Sequence, residues 1–347
     1  MSYRVADCHN DLLMAVRHLR ERGHEDPFGD FWLPQLRQGG VSLQVLPVAT
    51  EEQFVGEGAL RRCLLMIEEA RHIADVHRDA VALVSTRAEI AETITSGKIA
   101  LLLAIEGAEP LGHSLELVNV MRREGVRMCS LAWNRRTMMA DGIAERDTGG
   151  RLTKLGAEAV RRMEDVGIIV DVSHLSEAGF FHLAEVARKP FIASHSSCRA
   201  LADHPRNLTD DQIAMLGAAG GFLALNAFGP FLTDEVPTLD RFLNHMEHAM
   251  GLLGPDRVGL GTDFIDDVAD VVDPIFTGLL VDWTQIPKTA GLQRPADFAA
   301  LAEAAEKRFG ADLARQILGD NLTEFICTML DGQTAEEATS HRQGAST

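Results

Sequence analysis

The chain has 347 residues, 46% of them hydrophobic and 24% charged, which is the composition of an ordinary folded protein with room for a sizeable core. Its formal net charge of −18 argues against nucleic acid or an anionic membrane as a partner. Five scattered cysteines with no CxxC spacing argue against a disulfide framework and suit a reducing, cytoplasmic setting. No apolar signal core opens the chain, and the longest apolar run, Ile99 to Ile105, is too short to span a bilayer.

In chain order, Tyr3 to Cys8 reads as a first strand and is followed by His9-Asn10-Asp11. Val41 to Val48 is a second strand, followed by helical patterns over Gly56 to Arg78 and Thr86 to Ser96. Ile99 to Ile105 is continuously apolar, as expected of a strand covered on both faces, and it runs into Glu106. A helix over Ser114 to Glu124 leads to a fourth strand, Val126 to Leu131, and then to a polar, glycine-rich loop from Ala132 to Gly150. After a helix over Lys154 to Asp165, two β-rich runs end in histidines: Gly167 to His174, and Pro190 to His195. The helical segment Ser176 to Arg188 separates them, which makes a parallel strand–helix–strand unit. Thr209 caps a helix to Gly217, and Gly220 to Asn226 is the seventh strand. Leu239 to Leu253 is helical, and Arg257 to Thr262 is an eighth strand ending at Asp263. Helices over Arg294 to Phe309 and Asp312 to Met329 close the domain.

Eight strands alternating with helices predict a (β/α)8 TIM-type barrel. The open doubly wound sheet would want a glycine-rich phosphate loop after its first strand, and His9-Asn10-Asp11 is not one. We read residues 1–331 as one domain and 332–347 as a loose polar tail.

Five of the eight strands end in metal-ligand residue types: His9 and Asp11, Glu106, His174, His195 and Asp263. In a barrel these ends share one rim, where side chains that do chemistry sit. Imidazole and carboxylate suit Zn2+, with Mn2+ or Fe2+ as other takers, and a carboxylate such as Glu106 can bridge two ions. The chain has thirteen histidines, and any single one is more often hydrogen-bonded or solvated than a ligand. His72 and His77 read as solvated, while His182, His245 and His248 sit within helices and take the ordinary structural reading. His9, His174 and His195 differ because each follows an apolar run at an equivalent position.

These pieces resemble the membrane (renal-type) dipeptidase family, within the binuclear-metal amidohydrolase superfamily. The matching segments are His9-Asn10-Asp11, Ala104 to Gly107, Val170 to His174, Ser194 to Ser197, His204-Pro205-Arg206-Asn207, Gly259 to Phe264 and Gly319-Asp320-Asn321, in family order over nearly the whole chain. The resemblance implies two zinc ions, one held by His9 and Asp11, the other by His174 and His195, with Glu106 bridging. It implies a shared hydroxide as nucleophile, Asp263 as general base then acid, and Arg206 as the clamp on the substrate's terminal carboxylate. The other reading of Arg206 is a loop-anchoring salt bridge. Two departures stand out. Trp133 occupies the position of the family's carbonyl-polarising histidine; it either donates its indole N–H to the oxyanion or, as we favour, walls the substrate pocket. The loop after Asp263, Phe264-Ile265-Asp266-Asp267, also differs from the family's. The activity the resemblance implies is a zinc dipeptidase acting on L-Xaa-L-Xaa or L-Xaa-D-Xaa substrates, similar to the soluble bacterial-type members, whose tendency to dimerise makes a homodimer the assembly to test for. The alternatives are another binuclear-metal hydrolase (an N-acyl amino acid hydrolase or lactonase) and, from a different class, a metal-binding protein that has lost catalysis.

Overall fold

The computed structural model describes residues 3–269, 271–272 and 286–331. Its frame is nine parallel strands: β1 (Val5–Asp7), β2 (Val41–Ala49), β3 (Val81–Val84), β4 (Ile99–Glu106), β5 (Val126–Ser130), β6 (Ile169–Asp171), β7 (Ile192–Ser196), β8 (Phe222–Leu225) and β9 (Val258–Leu260). Eight of them form a closed ring in the order β1-β2-β4-β5-β6-β7-β8-β9. It is shut by β1 pairing with β9 at Asp7 and Leu260. The eight-stranded barrel read from the sequence is therefore the observed fold.

The ring is held most firmly between β2 and β4, which stay in register from Leu43 opposite Ala100 to Ala49 opposite Glu106. All eight residues of β4 are buried, as its unbroken apolar run requires. Successive strand side chains point to opposite faces. Leu43 and Val45, with Ala100, Leu102 and Ala104, share one core cluster with Met128, Ile169, Ile192 and Phe222, which is the barrel interior. Leu322, Ile326 and Leu330, from the helix over residues 321–331, join the same cluster and stopper the end where the strands begin. The alternate residues pack outward against the surrounding helices in a second, larger core. Glu106 continues the inward series of Ala100, Leu102 and Ala104, so the period of two delivers its carboxylate to the mouth of the barrel.

Several elements differ from the sequence reading. β3 lies between the two helical patterns, where the sequence reading assigns no element; it pairs with the first half of β4, from Val81 opposite Ile99 to Val84 opposite Leu102, while β5 takes the second half. A helix over Leu12–Glu21 was also missed, as was the turn of helix over Leu33–Gln38. The last helix is interrupted: Ala311–Arg315 passes through a π-turn, Gln316–Asp320, before residues 321–331. The expected Thr209 cap is present, and Gln212 completes a capping box with it. His77 is not solvated; it is half-buried against Phe28 and paired with Asp26 at 2.9 Å. Among the described residues no helix is long and apolar enough to cross a membrane. The tail from 332, and residues 273–285 of the loop after Asp263, lie outside the described residues.

Candidate metal centre and substrate cavity

The strand ends bring the six expected ligand-type residues together. His9 and Asp11 follow β1, Glu106 ends β4, His174 follows β6, His195 lies in β7 and Asp263 follows β9. Three imidazoles face a single oxygen of Glu106. Oε1 lies 2.9 Å from His174 Nε2, 3.3 Å from His195 Nε2 and 3.7 Å from His9 Nε2. His9 Nε2 also lies 3.7 Å from Asp11 Oδ2 and 3.9 Å from Asp263 Oδ1, and the His9 and His195 rings stack with centroids 3.7 Å apart. Their donor atoms form two groups sharing His9: one with Glu106 and His195, the other with Asp11 and Asp263.

The hydrogen-bond partners behind these rings dictate where their lone pairs point. Asn134 Oδ1 can only accept, so His174 donates Nδ1–H to it at 2.8 Å. Ser194 Oγ donates to Asp171 Oδ2 at 2.5 Å and accepts Nδ1–H of His195 at 2.7 Å. Asp171 Oδ1 takes the backbone N–H groups of Ser173 and Ser194, both at 3.0 Å, so this carboxylate is fully engaged. Both imidazoles are thereby left with a bare Nε2, and the two Nε2 atoms face each other at 2.8 Å. Two lone pairs at that distance repel unless a cation lies against them. Burial holds both rings well below the usual histidine range, with Arg206 and His9 adding to it. Burial also pulls His9 down, but Glu106, Asp11 and Asp263 outweigh it and hold the ring at about 10. His9 Nε2 and Asp11 Oδ1 are buried with no hydrogen-bond partner. Orphaned donor atoms, opposed lone pairs and three carboxylates around one imidazole all call for positive charge, and the residues fit a divalent metal pair.

Two backbone positions are held against their preference to build this rim. His174 has φ 69° and Asp263 φ 53°, left-handed values that cost a residue with a Cβ about 1–2 kcal/mol. The turn at Asp263 is fixed from below: Asp7 Oδ1 accepts the Thr262 N–H at 2.8 Å, and Asp263 N–H donates to His9 O at 3.1 Å. Asn226, at the end of β8, donates to Asp263 Oδ2 at 2.9 Å and leaves Oδ1 toward His9. Asn134, Asp171, Ser194, Asn226 and Asp7 were not singled out from the sequence. The available signal was a polar residue inside an otherwise apolar strand run, as at Asp171 and Ser194, which a strand buried on both faces tolerates only with a partner.

Above the cluster lies a cavity of about 360 Å³. Its walls are largely apolar, including Met14, Trp133, Ile143, Phe228 and Phe231. The Trp133 ring lies 5.9 Å from that of His174, and the Arg135 guanidinium sits 5.1 Å from the indole, held in turn by Glu52 and Glu109. Arg206 is buried over the same cavity. It donates to His195 O at 3.3 Å and packs on Phe231, and it makes no ion pair among the described residues. Burial pulls its guanidinium down to about 10. A larger groove of about 620 Å³, beside Tyr3 and Gly40, opens at the start of β1, away from the cluster.

A family model described as membrane dipeptidase (peptidase family M19) matches residues 1–322. The dipeptidase verJ of Clonostachys rogersoniana is 32% identical over 207 residues, 59% of this chain and 53% of that protein, so the match spans about half of the relative's length. A crystal structure of a family M19 metallo-dipeptidase superposes with TM-score 0.82 at 25% identity, over 94% of this chain and 98% of that one. A metallopeptidase of Rhodobacter sphaeroides, solved with a phosphinate mimic of L-Ala-D-Ala, has TM-score 0.82 at 24% identity, over 94% and 99%, and speaks to the fold alone.

Proposed function

The chain belongs to the membrane dipeptidase family, peptidase family M19, and from that premise we propose that it is a metal-dependent dipeptidase. The observation that carries the reading is Arg206: a buried guanidinium without an ion-pair partner among the described residues, over the cavity whose floor is the carboxylate–imidazole cluster. A planar fork of this kind suits a carboxylate. Placed beside the cluster, it suits a substrate whose free carboxylate lies one residue from the scissile bond. The cavity volume agrees with a dipeptide and leaves little room for a longer chain.

In this reading His9, Asp11, Glu106, His174 and His195 hold two divalent ions, zinc by the donor set. Such a pair supplies Lewis-acid polarisation of the scissile carbonyl and a water acidic enough to attack near neutral pH. Arg206 orients the substrate by its carboxylate. Asp263 Oδ1 takes the proton from the attacking water and returns it to the departing amine, while Asn226 fixes the carboxylate's orientation through Oδ2. Asn134 and the Asp171–Ser194 pair keep the Nδ1 protons of His174 and His195, so that Nε2 is the ligand atom on each. Trp133, pinned by Arg135, walls the pocket.

The test is hydrolysis of L-Xaa-L-Xaa and L-Xaa-D-Xaa dipeptides by zinc-loaded protein. Asp263→Asn should lower kcat by about 10²–10⁴-fold, the usual contribution of a general acid–base. Absence of turnover with two metal equivalents bound would reject the dipeptidase reading. Trp133 in place of a polarising histidine favours one second reading, an N-acyl amino acid hydrolase or lactonase, and those substrates belong in the same screen.

A further inference from the structure

The carboxylates lining the cavity, Asp11, Glu106 and Asp263, all cluster around His9. The rest of the lining holds apolar side chains, Asn134, His174, His204 and two arginines, Arg206 and Arg146. In a chain of net charge −18, the substrate half of the cavity is thus positive. Arg146 stands on the short 3-10 turn Ile143–Thr148, in the loop after β5. Its side chain is 48% exposed. It reaches Asp147 Oδ1 only at 3.8 Å, where Asp147 is 89% exposed, and bonds its own turn at Ile143 O at 3.4 Å. Ion pairs of that kind are worth little and are readily exchanged. Arg199, the neighbouring cation, is instead committed to Glu177 and to the carbonyls of Asn207 and Pro205.

His204 lines the cavity beside these cations. It packs on Phe231, and its Nδ1 accepts the Arg206 N–H at 3.2 Å. Burial pushes its imidazole down to about 4, and Arg206, Arg199 and Arg146 add to the effect. Arg146, His204 and Arg206 line the same cavity, and both arginines act on the His204 ring. With Arg206 on the terminal carboxylate, Arg146 is the other cation of the lining and the one left for a carboxylate on the side chain of that C-terminal residue.

Resting on the dipeptidase reading, we infer that Arg146 determines specificity: the site prefers dipeptides whose C-terminal residue is aspartate or glutamate, binding one carboxylate at each arginine, and disfavours lysine or arginine there. A charged pair in a half-buried site discriminates against a neutral isostere by about tenfold.

The experiment compares kcat/KM of zinc-loaded protein on Ala-Asp, Ala-Asn, Ala-Glu, Ala-Gln and Ala-Lys, with the second residue in both configurations. The acidic dipeptides should exceed their amides by about tenfold, mainly through KM, and the ratio should shrink toward one as salt is raised. Arg146→Met should abolish the ratio, Arg146→Lys should retain most of it, and Arg146→Glu should invert the order of Ala-Asp and Ala-Lys. An amide hydrolysed as well as its acid, or an acid-to-amide ratio untouched by Arg146→Met, overturns the inference and leaves the dipeptidase reading standing. No turnover of any dipeptide by metal-loaded protein overturns both.

Discussion

His245 shows what a buried histidine does when it is not at the barrel mouth. It lies on the helix Leu239–Leu253 and is 1% exposed. Its Nδ1 accepts the Cys198 N–H and its Nε2 donates to Leu232 O, both at 3.0 Å. The bond at Nδ1 requires the neutral ring, because a protonated Nδ1 cannot accept. Burial pushes its pKa down to about 4, partly offset by the Leu232 carbonyl, while His248 on the same helix adds to the depression. A histidine with a depressed folded pKa binds its proton more readily when unfolded. Its contribution is therefore complete above about pH 6.5 and is lost as pH falls toward 4, amounting to about 3 kcal/mol. His245→Gln keeps a donor toward Leu232 O but cannot titrate. Urea midpoints at pH 7 and pH 4.5 should fall less for the variant than for the parent, by roughly that amount; equal falls would show that His245 does not titrate with unfolding. The contrast with His174 and His195 is one of partners. Those rings have one nitrogen satisfied and the other bare, which marks a ligand, whereas His245 has both satisfied, which marks structure.

At the scale of elements, the ring of strands depends on close approaches as much as on pairing. Gly261, just after β9, lies with its Cα against the Ser194 carbonyl of β7, so an added Cβ would collide with that oxygen and crowd the Ala224 side chain. Gly261→Ala should therefore cost about 1–3 kcal/mol, the range for overpacking a tight site. It should also disturb Asp263 two residues on, so that unfolding midpoint and kcat fall together; a midpoint within about 0.5 kcal/mol of the parent would mean that the backbone yields. The same scale explains what could be read in advance. The eight barrel strands were legible because each is an apolar, β-rich run, and five of them end in a residue that no core would accept without a reason. The helix over Leu12–Glu21 was not legible because Leu12 through Val16 are all buried, so its start shows no 3.6-residue alternation. β3 was missed because four residues between polar turns carry too little pattern to separate a strand from a connection. At the site the facing ligand types could be read, since histidine and aspartate after apolar runs are rare. Ser194, Asn134 and Asn226 could not, because a serine or an asparagine at a strand end is common and only the partner it meets gives it a role.

For the whole molecule, the cost of the site is concentrated where the barrel closes. β1 meets β9 in register at a single residue pair, Asp7 with Leu260, and this seam is the same one that carries His9, Asp11 and Asp263. Asp7 reinforces it from inside: one carboxylate oxygen accepts the Thr262 N–H, the other the Gln44 amide at 3.0 Å, and burial nevertheless raises its pKa to about 6. Above Asp7, three carboxylates crowd one imidazole and two bare imidazole nitrogens oppose each other, all out of water. Like charges and unpaired polar atoms in such a place work against folding unless positive charge joins them. A ligand that binds only the folded chain stabilises it by RT ln(1 + [L]/Kd), about 4 kcal/mol at a thousandfold excess over Kd. With unfolding entropy near 2.1 cal/mol/K per residue, that is about 6 °C for a chain of this size. Zinc-loaded protein should therefore melt about 6 °C or more above the chelator-treated form. Magnesium, which prefers oxygen ligands and keeps its waters, should give much less of this rise. His174→Ala should shrink the metal-dependent rise, because it removes a bare nitrogen from the group that needs the charge. Equal melting temperatures with and without bound zinc would show that the cluster is held by proton-sharing among its own members, and the metal reading of the rim would fail with it.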